Sequence, residues 1–66
     1  MALTPQEKKR MEELLNKYYK YNSLSLSEAR ELNYLIKKDD EIDRALKYIL
    51  IFALGAIIAY ALLKRD

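Results

Sequence analysis

Four acids in five positions, Asp39-Asp40-Glu41-Ile42-Asp43, form the densest group of ligand-type side chains in the chain. Carboxylates this close suggest a hard cation, which takes oxygen ligands. The spacing does not match a calcium loop, and no glycine is present to make its sharp turn. The expected role is local. Asp39 or Asp40 caps the third helix, and the remaining acids complement its positive dipole end.

A second group is basic and aromatic. Lys8, Lys9, Arg10, Lys17 and Lys20 share the first helix with Tyr18 and Tyr19, and Tyr21 follows them. Cations interleaved with aromatics can hold nucleic acid or an anionic surface. Glu7, Glu12 and Glu13 lie among them, and Glu13 with Lys17 has the favourable i,i+4 order of a solvated helix face. Two capped helices in succession suggest a helix-turn-helix. However, Glu28, Glu31 and Asn33 point outward from the second, which suits a DNA groove poorly. Nucleic acid is therefore not expected as a partner.

Ser23, Ser25 and Ser27 have no histidine to activate them, since the chain contains neither His nor Cys. That composition removes His acid–base catalysis, Cys nucleophiles, disulfides and Cys/His zinc sites. The single glycine lies in an apolar run, so there is no phosphate loop. No catalytic, cofactor or metal residue is assigned, no small-molecule substrate is expected, and the chain does not read as an enzyme.

The elements that carry these groups are helical. Thr4-Pro5-Gln6-Glu7 is a capping box with proline at the first helical position. Met11, Leu14, Leu15 and Tyr18 then recur at helical spacing, which predicts a helix over 5–20. Ser25-Leu26-Ser27-Glu28 is a second capping box, followed by the stripe Ala29, Leu32, Leu35 and Ile36. The short connection predicts an antiparallel hairpin. Its expected core is Met11, Leu14 and Leu15 against Leu32, Leu35 and Ile36, resting on Ile42 and Leu46. No Gly or Pro separates the second helix from the third, so a kinked continuous helix is an alternative to a break.

The charge is unevenly placed. Ten of the 12 basic and nine of the 10 acidic residues precede Tyr48. Tyr48, Ile49, Leu50, Ile51, Phe52, Ala53, Leu54, Gly55, Ala56, Ile57, Ile58, Ala59, Tyr60, Ala61, Leu62 and Leu63 carry none. A helix that is apolar all round is a membrane span or the centre of a large core. Residues 48–63 reach roughly 24 Å and residues 45–63 roughly 28 Å at ~1.5 Å per residue, against a hydrocarbon core of ~30 Å. Nine Leu, Ile or Phe residues in 48–63 favour insertion by roughly 3 to 5 kcal/mol, and Lys47 can snorkel from one end. Tyr48 and Tyr60 suit the interfacial belts. Gly55 and Ala59, one turn apart, form a small pair that lets another helix approach closely.

The expectation is an all-α chain: a soluble antiparallel hairpin head over 1–40, then one long helix over 41–66, amphipathic at first and transmembrane over 45–63. No apolar leader is seen in residues 1–24. Lys37, Lys38, Arg44 and Lys47 before the span outnumber Lys64 and Arg65 after it, which places the head in the cytoplasm. The layout suits a single-pass structural, scaffolding or accessory subunit, with lipid and either itself or another membrane protein as partners. The alternatives are a soluble helical homo-oligomer with the third helix at its centre, and an adaptor for nucleic acid or an anionic surface through helix one.

Overall fold

A computed structural model describes residues 2–64, and every regular element among them is helical: α1 (Pro5–Tyr21), α2 (Leu26–Lys38) and α3 (Arg44–Leu63). Both capping boxes form. The Thr4 hydroxyl accepts from the Glu7 amide at 3.1 Å while Glu7 Oε1 accepts from the Thr4 amide at 3.0 Å. Ser25 and Glu28 repeat the exchange at 3.2 and 3.0 Å. Two orphan donors of each helix start are thereby satisfied from within the chain. Helix α1 stops at Asn22, which adopts left-handed φ 54 and returns its N–H to the Tyr18 carbonyl. Asparagine is among the few residues that take this conformation at low cost.

The third helix starts later than the pattern of acids suggests. Its N-cap is Asp43, whose Oδ2 accepts from the amides of Ala45 and Leu46 at 3.1 and 3.3 Å. Neither Asp39 nor Asp40 caps it. Asp39 is extended at ψ 123 and closes α2, while its buried side chain accepts from the Glu41 amide at 2.7 Å. That bond turns the backbone before a helix can resume, so α2 and α3 are separate helices.

Helix α2 is the middle element and packs against both neighbours, more extensively against α3. Its buried residues are Ala29, Leu32, Leu35 and Ile36; α1 contributes Met11 and Leu14, and α3 contributes Leu50 and Leu54. Of the residues expected in the head core, Leu15 is only partly buried at the edge of this cluster, as is Ile42. Leu46 is 46% exposed and lies outside the cluster. The reason is geometric. A two-helix hairpin covers one side of α2, and α3 folds back to cover the other, displacing the outer positions.

Candidate membrane-facing surface of the C-terminal helix

Three ion pairs cross from α1 to α2. Lys38 meets Glu7 at 2.9 Å, Arg10 forks onto both Glu31 oxygens at 2.9 and 3.1 Å, and Lys17 meets Glu28 at 2.6 Å. Lys17 thus pairs between helices instead of with Glu13 along its own. These pairs and the caps hold the carboxyls below their ordinary range. For Glu28 the causes are Lys17 and then the Ser25 amide, which bring it down to about 2. For Glu7 they are the Thr4 amide and then Lys38, and for Glu31 chiefly Arg10. The basic stripe of α1 is therefore largely engaged: Lys8 also meets Glu41 at 3.4 Å, and Lys20 lies over the Tyr21 ring at 5.4 Å. Among the described residues no group of three or more acidic side chains converges on a metal position.

The α2–α3 contact is different in kind. No hydrogen bond or ion pair joins a described residue of α2 to one of α3. The nearest polar tie is Lys47 Nζ to the Asp39 carbonyl at 2.8 Å, in the connection itself. Helix α3 turns Leu50, Ile51, Leu54, Ile57 and Ile58 inward, at i, i+1, i+4, i+7 and i+8. This is the stripe of a helix docked along one side.

The opposite side of α3 is bare. Ile49 is 65% exposed, Phe52 81% and Leu63 80%, and Ala45, Ala56 and Ala59 share that face. Tyr48 and Tyr60 flank it and are also exposed. Nothing lies within 4 Å of the position a Gly55 side chain would take. The Gly55/Ala59 pair therefore faces open space, beside the bare stripe and away from α2. α3 is long and apolar enough to cross a membrane, with mean hydropathy 2.2 and 11% of its most apolar stretch buried. Core helices of soluble proteins share that length and composition, but they are mostly covered. Arg65, expected beyond the span with Lys64, lies outside the described residues.

α2 reaches roughly 20 Å and α3 roughly 30 Å at ~1.5 Å per residue, so α3 overhangs its partner. Beneath the overhang a cleft of about 1030 Å³ opens between the α1–α2 loop at Asn22–Leu24 and Ala56, Ile57, Tyr60 and Ala61. Its walls are mainly apolar, and Lys64 is among the residues that line it.

The inward stripe of α3 could not be told from its bare stripe in sequence, because both are uncharged and aliphatic. The α1–α2 ion pairs were also missed, although Glu7, Glu28, Glu31 and Lys38 stand where an antiparallel hairpin brings them opposite cations and anions. In comparisons with known proteins, no family model, curated protein or solved structure matches this chain.

Proposed function

We propose that this chain is a small structural membrane protein, anchored by α3 as a single span and presenting the α1–α2 hairpin as a scaffolding or accessory head. The observation that carries the reading is the uncharged run Tyr48–Leu63, of which only Leu50 and Leu54 are buried. In water such a surface drives association; in lipid it is solvated. The hairpin suits the aqueous side, where its ion pairs and charged outer faces are hydrated. The excess of Lys37, Lys38, Arg44 and Lys47 at the head end favours a cytoplasmic head.

Fractionation tests this. The protein is expected in the membrane pellet after alkaline washing and in solution only with detergent. Protease added to intact cells is expected to leave the head uncut. Co-purification in mild detergent then identifies whether the partner is a second copy or another membrane protein.

The second reading is a soluble homo-oligomer that buries the bare stripe of α3 at its centre. The docking of α2 along α3 favours it, since that packing already covers one side of the helix in water. Recovery of a discrete oligomer from the detergent-free supernatant selects this reading.

A further inference from the structure

The packed chain and the spanning chain are incompatible over the same length. α2 lies alongside α3 with Glu28, Arg30 and Glu31 on its other sides. If α3 crossed the bilayer in this arrangement, those charges would enter the hydrocarbon with it, where isolated charges are strongly disfavoured. One contact must open, and the two helix contacts differ in what they lose.

We propose that the hairpin is a releasable sheath for α3: in water α2 covers one face of the anchor, and at a membrane α3 swings away about the 39–43 connection while α1 and α2 stay joined. The proposal rests on the membrane reading above. Four observations carry it. First, the α1–α2 contact has three ion pairs that favour water, whereas the α2–α3 contact has no such bond and exchanges apolar neighbours for apolar lipid. Second, each helix end at the connection is closed by its own residue, α2 by Asp39 and α3 by Asp43, so both helices survive separation. Third, the Lys47–Asp39 tie lies within the pivot and need not break when the helices part.

Fourth, Asn33 Oδ1 is buried without a hydrogen-bond partner. Asn33 is three residues from Ile36 and four from Ala29. The residues of α2 paired with α1, namely Glu28, Glu31 and Lys38, project from the other side of the helix. The cover over Asn33 is therefore α3. An unpaired buried amide oxygen weakens the contact that must open, and release hydrates it.

The chain has no cysteine, so labels can be placed without background. Spin labels at Ser27→Cys and Ala56→Cys report α2–α3, and labels at Asn16→Cys and Ser27→Cys report α1–α2. All three sites are exposed. On adding phosphatidylcholine–phosphatidylglycerol vesicles, the 27–56 separation is expected to lengthen by more than about 10 Å. That is half the roughly 20 Å from pivot to Ala56 at ~1.5 Å per residue. The 16–27 separation is expected to hold. Tyrosine quenching by brominated lipid in the same sample reports whether α3 is embedded. Quenching with an unchanged 27–56 separation overturns the sheath and leaves the membrane reading standing. Failure to bind or quench overturns the membrane reading and the sheath with it. Asn33→Leu is expected to reduce the open fraction at fixed lipid by about five-fold or more; an unchanged fraction overturns the role given to Asn33.

Discussion

The two faces of α2 are built from the same residue types, yet they make unlike contacts. Towards α1, Leu14, Leu32 and Leu35 lie under a row of ion pairs, and the register is fixed by charge as well as shape. Towards α3, which adds Leu50 and Leu54 to the same buried cluster, no hydrogen bond or ion pair between described residues of the two helices fixes the register. The first contact is specific to water. The second is aliphatic throughout, and under the proposed membrane reading a lipid chain can take the place of α2 against it.

The largest effects are expected where the two contacts can be broken separately. Leu54 is fully buried, and Leu54→Ala is expected to cost about 2 to 5 kcal/mol of thermal stability in detergent-free solution. Membrane insertion of the same variant should change little, because one aliphatic residue among many is lost. Leu14→Ala, also at a fully buried site, is expected to cost as much and to loosen α1–α2 in lipid as well. Equal melting of Leu54→Ala and the parent in water would break the comparison at its apolar side.

Acid should discriminate next. Glu7, Glu28 and Glu31 are held lower in the folded chain than the ordinary value of 4.5. A carboxyl with a depressed folded value contributes fully above its unfolded value, and the contribution disappears as pH falls through the folded one. The α1–α2 contact should therefore weaken from about pH 4.5 towards pH 2, the value to which Glu28 is lowered. No ion pair joins described residues of α2 and α3, and the buried packing between them is aliphatic, so that contact is expected to weaken less over the same window. Hydrogen exchange of α1 against α3 on acid titration checks the order of loss.

The smallest effect on the monomer is expected at Gly55. Its surroundings are open, so Gly55→Ile should change monomer stability by no more than about 1 kcal/mol, in the direction of better helix propensity. Membrane localisation should persist. Self-association should weaken, because close backbone approach beside Ala59 is lost. An unchanged crosslinking ladder for Gly55→Ile and Ala59→Ile would show that the small pair is incidental.

Much of this architecture was legible in the residues. Thr4/Glu7 and Ser25/Glu28 announce the first two helix starts, and the stripes of α1 and α2 name most of the buried positions. The start of α3 was legible only to within three residues, because Asp39, Asp40 and Asp43 can each cap a helix and the turn at Asp39 decided among them. The docking of α3 was not legible. A helix with no charged residue from Tyr48 to Leu63 has no mark on the side it buries, so Leu50 and Leu54 could not be separated from Ile49 and Phe52. Asn33 read as an outward polar residue, and only the return of α3 covers it.

Water accessibility at one position on α3 tests the central claim most directly. Ala56 is exposed in the folded chain and lies on the bare side of α3, while Ser27 is exposed on the hairpin. In washed membranes carrying Ala56→Cys or Ser27→Cys and opened to give access to both sides, a water-soluble maleimide is expected to label position 27 and to miss position 56 until detergent is added. Equal labelling of both positions without detergent would contradict the anchor.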